Sequence, residues 1–203
     1  MSFSDVFGTP PSEDPPERRE VYSAPAWFGP PADELGAYVS LGLVIARSDQ
    51  GVVAISHAIG YTTGVGFELV AQARNLSHRD TQRLFYEQHL PFDPDEPAAG
   101  FLRVGLELAD GVRLSNLGAR RHWPSLEDPP PGPILMAHGG GGGMSSDRDV
   151  LMRPGFWMWP VPEPGTIRLS CEWPLVDIPF SSIDLDGEVL REACGRARKL
   201  WTD

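Results

Sequence analysis

Glycine and proline hold this chain to a narrow set of folds. They occupy 22 and 21 of its 203 positions, where average usage of the pair is about 12%. Inside a helix each glycine costs about 1 kcal/mol and each proline about 3 kcal/mol. A helical bundle is therefore excluded, and many short strands joined by turns are expected. The length suits one domain, which at this size removes roughly 70% of the extended chain's surface from water.

From Ala37 onward the sequence has a period of two. Val39, Leu41, Leu43 and Ile45 alternate with Ser40, Gly42, Val44 and Ala46, and Ser48-Asp49-Gln50-Gly51 supplies turn chemistry. Val53, Ile55, His57, Ile59 and Tyr61 then share one face. After Gly64, so do Val65, Phe67, Leu69 and Ala71. Three such strands joined by short turns make an antiparallel meander. The alternation puts His57 beside Val53 and Ile55, as a hydrogen-bonded core histidine.

Ser77 to His89 reads as a helix capped by Ser77, with Asp80 at its positive end, Leu84 and Phe85 toward the sheet, and Pro91 beyond it. Leu102–Leu108 and Val112–Asn116 flank Asp110-Gly111, a hairpin signal. A proline-rich loop over 118–132 carries Trp123, and Ile134-Leu135-Met136 is a short strand leading into five glycines, Gly139 to Gly143. Phe156–Trp159 and Ile167–Trp173 read as a strand pair around a proline-rich turn. After an extended piece near Ile178, Asp184 opens a terminal helix with Leu185, Val189, Ala193, Ala197 and Leu200 on one face. The expected fold is all-β: an antiparallel β-sandwich or partly closed barrel of about eight to nine strands, with one short helix and one C-terminal helix. The βαβ rhythm of a doubly wound nucleotide fold is missing.

Residues 1–36 read as an acidic tail holding seven of the 21 prolines, disordered to about residue 20. Within it Ala26-Trp27-Phe28 either docks on the domain or serves as a binding motif. Residues 37–203 form the single sandwich domain. The net charge of −11 opposes binding to a phosphate backbone. No apolar run approaches the roughly 18 residues of a membrane span, and the first residues lack a secretory signal's basic and apolar regions. Cys171 and Cys194 are too few for a disulfide framework or a four-thiolate zinc site. The expectation is a reduced cytoplasmic protein with no nucleic acid, membrane, metal or cofactor.

Residues that could carry chemistry are few. Amides of the His138-Gly139-Gly140-Gly141-Gly142-Gly143 run could converge on an anion, but a phosphate loop needs a Lys-Ser/Thr pair and a helix. Here Met144-Ser145-Ser146-Asp147 follows, so a mobile, non-catalytic connection is expected. Trp157 and Trp159, two apart in a strand, share a face. They are either core, with Phe156 and Met158 on the opposite side, or an exposed stacking platform near Trp173. The candidate ligand-binding residues are Trp157, Trp159, His138, Gly140, Gly141 and Glu172. No catalytic residue is assigned: the histidines lack ligand spacing, there is no Gly-x-Ser-x-Gly elbow, and neither cysteine neighbours a histidine. Glu107, Asp110 and Glu172 could meet as a carboxylate pair, but solvation at the surface is the expectation. Asp93-Pro94-Asp95-Glu96 lacks the spacing of a calcium loop.

The stretch from Trp157-Met158-Trp159-Pro160 through Cys171-Glu172-Trp173-Pro174, then Ile183-Asp184 and Leu200-Trp201, resembles a family of uncharacterised actinobacterial proteins with Trp-Pro motifs. Leu102-Arg103-Val104-Gly105, Ala109-Asp110-Gly111 and the glycine run extend the resemblance over most of the chain after Trp27. It implies no activity and assigns no catalytic residue. With neither catalytic spacing nor a cofactor motif, the expected function is a non-enzymatic interaction or assembly module, its partner another protein or a second copy. The alternative is a small-molecule- or carbohydrate-binding sandwich, or a hydrolytic one, built on the Trp157/Trp159 face and the loop of His138 and Gly139 to Gly143.

Overall fold

The computed structural model describes residues 24–89, 97–118, 129–146 and 148–201. The front of the tail, Trp123, the Asp93-to-Glu96 cluster and the Phe85 side chain lie outside the described residues. In chain order the strands are β1 (Glu34–Leu35), β2 (Ala37–Arg47), β3 (Gly51–Tyr61), β4 (Gly64–Ala73), β5 (Arg103–Glu107) and β6 (Arg113–Ser115). They continue with β7 (Ile134–Ser145), β8 (Val150–Trp159), β9 (Thr166–Trp173), β10 (Ile178–Asp186) and β11 (Arg198–Lys199). Helix α1 (His78–His89) follows β4, and α2 (Gly187–Gly195) follows β10.

Two antiparallel sheets make an all-β sandwich. The large sheet has the order β2-β3-β4-β8-β7 and the small one β10-β9-β5-β6. Val53, Ile55, Leu69, Phe156 and Met158 of the large sheet share one buried cluster with Val104, Leu106, Ile167, Leu169 and Trp173 of the small one. Burying such side chains contributes about 1.5–3 kcal/mol each. The Trp173 indole, fully buried, donates to the Gly100 carbonyl at 3.0 Å. Neither sheet closes into a barrel. Among the described residues no helix is long and apolar enough to cross a membrane.

The meander, the hairpin and α1 form where period and caps place them. Gly111 takes φ +84° at the turn. Ser77 Oγ accepts from Asp80 N at 3.1 Å and donates to Asp80 Oδ2 at 2.6 Å, while Leu84 points into the core.

Several elements depart from the alternation. β3 carries a bulge: Ile55 pairs with Leu69 and His57 with Glu68, so Ser56 is the extra residue. One inserted residue exchanges the faces of everything beyond it. Val53 and Ile55 point inward, the bulge passes the inward positions to Ala58 and Gly60, and His57 comes out to the half-buried outer face instead of the core. The glycine run is also no loop. β7 continues through it to Ser145, paired with β8 and bulged between Ala137 and Gly140 and again between Gly141 and Met144. Main-chain pairing needs no side chain, and here the close approach requires glycine: a Cβ on Gly140 would stand 2.7 Å from the Arg153 carbonyl oxygen.

β8 and β9 are not partners. The proline-rich segment between them carries the chain from one sheet to the other. The terminal helix starts later than its apolar spacing suggests, because Leu185 belongs to β10 and Asp186 is the cap, accepting from Glu188 N at 2.9 Å. Its inward residues are Leu190, Ala193 and Cys194, and β11 follows directly.

β1 and β11 form a two-stranded clasp, Glu34 opposite Lys199 and Leu35 opposite Arg198. The Lys199 ammonium lies 2.7 Å from Asp33 Oδ2 and 3.3 Å from Glu34 Oε1. Glu34 is buried and accepts from Thr62 N at 3.0 Å and Thr62 Oγ1 at 2.6 Å. Burial alone would push its carboxyl up, but the Thr62 and Lys199 contacts outweigh it and hold it below the ordinary range.

Candidate functional site

Register lines up Ser40, His57, Glu68 and Gly155 across β2, β3, β4 and β8, with the His138–Gly139 bulge of β7 beyond Gly155. These residues lie on the outer face of the large sheet. Irregularities cluster at the same level. β2 bulges at Leu41 and Gly42, the latter at φ +61°, while β3 bulges at Ser56 and β8 carries Pro154. Bulges of this kind re-aim side chains, and here they surround a cleft of about 140 Å³ whose walls include His57, Tyr61, Glu68, His138 and Trp157. Gly66 opens its floor: a Cβ there would meet only the Ile59 carbonyl oxygen, at 3.8 Å.

A strap over residues 25–31 covers one side. It turns through Phe28 N donating to Pro25 O at 2.9 Å, and it buries Trp27 at 3% exposure while Phe28 stays 37% exposed. Trp27 thus docks on the domain. The Trp157 indole donates to the Ala26 carbonyl at 3.3 Å, and its ring meets Tyr61 edge-on at 5.8 Å. The His138 ring donates to the Phe28 carbonyl and packs on Gly29, where a Cβ would stand 2.6 Å from Cε1. Burial lowers the His138 pKa, the bond to Phe28 only partly opposing it, so the ring is held neutral.

The tryptophan faces are the reverse of the core reading. Phe156 and Met158 point into the sandwich, and Trp157 faces outward, yet it is fully buried because the strap and Tyr61 cover it. An open indole platform is therefore absent at Trp157. Trp159 is half-buried at the strand end.

The polar groups have a defined geometry. Ser56 Oγ lies 2.8 Å from His57 Nδ1 and donates to Glu68 Oε1 at 3.2 Å. Arg153 Nη1 reaches the same Oε1 at 3.4 Å. A hydroxyl has one proton. Used on Glu68, through Oε1 or through the main-chain oxygen at 3.3 Å, it makes Ser56 the acceptor toward His57 Nδ1; used on His57, it makes Nδ1 the acceptor. The group is not a Ser-His-acid triad. That arrangement needs the hydroxyl and the carboxylate on different ring nitrogens, and here Glu68 Oε1, at 3.9 Å, faces the same Nδ1 as Ser56. Every side-chain contact of Glu68 falls on Oε1, which leaves Oε2 without a bond among the described residues.

Of the residues proposed from sequence, Trp157, His138 and Gly140 meet at this cleft. Gly141 pairs with Arg153 further along β7. Glu172 lies on the small sheet, paired with Arg103, and Glu107 is paired with Arg113, so no carboxylate dyad forms between them. Ser56, Glu68, Tyr61, Gly66 and Arg153 escaped the sequence reading. The one signal was a Ser-His pair inside an otherwise apolar strand. Among the described residues no group of three or more His, Cys, Asp or Glu side chains could hold a metal ion. Both cysteines are buried and free, and burial pushes the Cys171 thiol up to about 11.

No family model, curated protein or solved structure matches the chain.

Proposed function

We propose that the chain is a non-enzymatic interaction module that takes a basic side chain of a partner protein into the cleft beside Glu68. The observation that carries this reading is the chemistry of the walls. Glu68 Oε2 is an acceptor, and Tyr61 and the imidazoles of His57 and His138 stand around it. One carboxylate among aromatic rings suits an ammonium or guanidinium head. At about 140 Å³ the cleft is smaller than the roughly 300 Å³ at which drug-sized pockets begin. It matches a single anchor side chain, and buried anchors dominate many interfaces. A net charge of −11 favours encounter with basic partners.

The test is a titration with N-acetyl-arginine amide and N-acetyl-lysine amide, followed by the resonances of His57, Tyr61 and Trp157. N-acetyl-citrulline amide, the neutral isostere of the arginine probe, is the control. The cations should shift those resonances and citrulline should not. Gly66→Leu, which fills the floor, should abolish the response in a folded protein. An equal response to citrulline would show that charge is not what the cleft recognises.

A further inference from the structure

Register sorts the outward side chains of the small sheet into three rows across its strands. Asp184, Arg168, Glu107 and Arg113 form the first, and Ser182, Ser170, Gly105 and Ser115 the second. Glu172 and Arg103 form the third. A bulge between Ile178 and Ser181 brings Phe180 out beside them. The middle row has the smallest side chains, so the face carries a trough that runs across the strands. Two hollows of about 460 and 220 Å³ lie along it and share Gly105, Ser170 and Phe180. The larger falls within the usual range of ligand pockets, about 300–1,000 Å³. Four strands spaced at about 4.8 Å give the trough a length of roughly 14 Å between its outer Cα atoms.

We infer that this trough binds a neutral, polyhydroxylated chain, an oligosaccharide, laid across β10, β9, β5 and β6. Its direction rules out recognition by strand addition, since a chain crossing the strands cannot extend their ladder. Its charges rule against an ionic ligand. Arg168 is paired with Asp184 at 2.9 Å, Arg113 with Glu107 at 2.7 Å, and Arg103 with Glu172, so neither wall presents net charge. An ion would compete with these pairs. Hydroxyl groups instead use the capacity the pairs leave over, because a guanidinium has five N–H donors and a carboxylate about four acceptor sites. The serines of the floor both donate and accept. Phe180, 71% exposed, supplies an apolar ring face at the trough wall against which a sugar ring can stack.

The experiment follows the Gly105, Ser170 and Ser182 amides of the full chain while cellohexaose, maltohexaose, xylohexaose and chitohexaose are added in turn. At least one sugar should shift all three amides. Phe180→Ala should weaken that binding tenfold or more, and Ser170→Trp, which fills the trough, should abolish it. Should Ser170→Trp fail to fold, Ser182→Trp at the exposed end does the same work. Four outcomes would each overturn the inference: no response to any of the hexasaccharides; binding undiminished in Phe180→Ala; tighter binding of an uncharged Ser/Asn hexapeptide than of every sugar; or a wild-type dimer that Ser170→Trp makes monomeric. The trough shares no residue with the Glu68 cleft, so the two tests succeed or fail separately.

Discussion

Trp157 and Met158 are consecutive residues on opposite faces of one strand, and neither exposes any surface to solvent. Met158 is covered by the sandwich core and Trp157 by the strap, so β8 is buried twice over, by two different layers. Trp157→Ala should cost about 3–5 kcal/mol, the range of large-to-small core substitutions. Trp27→Ala should cost less and should also leave Trp157 accessible to acrylamide quenching, because Trp27 anchors the strap. Denaturant unfolding together with quenching of the folded variants checks both. If Trp27→Ala leaves quenching unchanged, the strap does not seal the indole.

The strap's seat should weaken in acid. With its pKa lowered by burial, His138 stays neutral when folded while an unfolded chain takes up a proton near 6.5. Its contribution is therefore full above that pH and is lost progressively as pH falls toward the folded pKa. Lowering the pH from 7.5 to 5.5 should therefore increase Trp157 quenching. His138→Gln should flatten the response, and His57→Gln, which alters the cleft's other imidazole, should leave most of it. A wild-type response that persists in His138→Gln would place the sensitivity elsewhere.

Two glycines on neighbouring strands should answer alanine oppositely. A Cβ on Gly60 would run into the backbone of Ala193 and Cys194, which belong to α2 and cannot turn aside, whereas one on Gly66 meets only a carbonyl oxygen at 3.8 Å. Gly60→Ala should destabilise by about 1–3 kcal/mol or more, as overpacking does. Gly66→Ala should leave the midpoint within a degree or two. Thermal melts of the two variants decide it.

The buried Glu34 gives a second, oppositely placed pH signature. Removing the Thr62 hydroxyl by Thr62→Val takes away a hydrogen bond to a charged group, worth about 1.5–3 kcal/mol. Because the Glu34 carboxyl is held below its ordinary value of 4.5, its stabilisation is present above that pH and disappears as pH falls through the folded pKa. The gap between wild type and Thr62→Val should be widest at neutral pH and narrow below about pH 4.5. A gap that stays constant to pH 3 would mean the hydroxyl acts by packing alone.

Both thiols should be silent in the folded protein. Cys171 is buried with its pKa at about 11 and Cys194 is buried and raised as well, so little thiolate exists at pH 8. Reaction with Ellman's reagent should proceed only at the rate of unfolding. Fast labelling of either cysteine in the native state would contradict its burial.

The fold was legible wherever alternation ran unbroken. β4, the β5–β6 hairpin and α1 all follow from period, turn residues and caps. What composition cannot display is a bulge. Ser56 looks like any other member of an alternating strand, yet as an extra residue it moves His57 from core to cleft and with it the centre of the candidate site. The same holds for the tryptophans: period two put Trp157 and Trp159 on one face, but which face is inner depends on the strap that covers the other. The glycine run read as a loop because glycine supplies no pattern, whereas β7 is held by its main chain. Glu68 was invisible for a different reason, since its partners Ser56 and Arg153 are 12 and 85 residues away along the sequence.

One consequence of the clasp concerns covalent chemistry. Lys199 is the only lysine in the chain, and its ammonium joins Asp33 and Glu34 across the β1–β11 pair. Any reagent or enzyme that acylates side-chain amines therefore has one target, and modifying it removes the cation that joins Asp33 to Glu34. Acylation would leave Glu34 without its counter-cation in a nearly closed pocket, where an unpaired carboxylate is costly. Because the Lys199 side chain is itself more than half exposed, a reagent reaches the amine in the closed clasp, and the extent of acylation reports how many molecules have lost the ion pairs to Asp33 and Glu34.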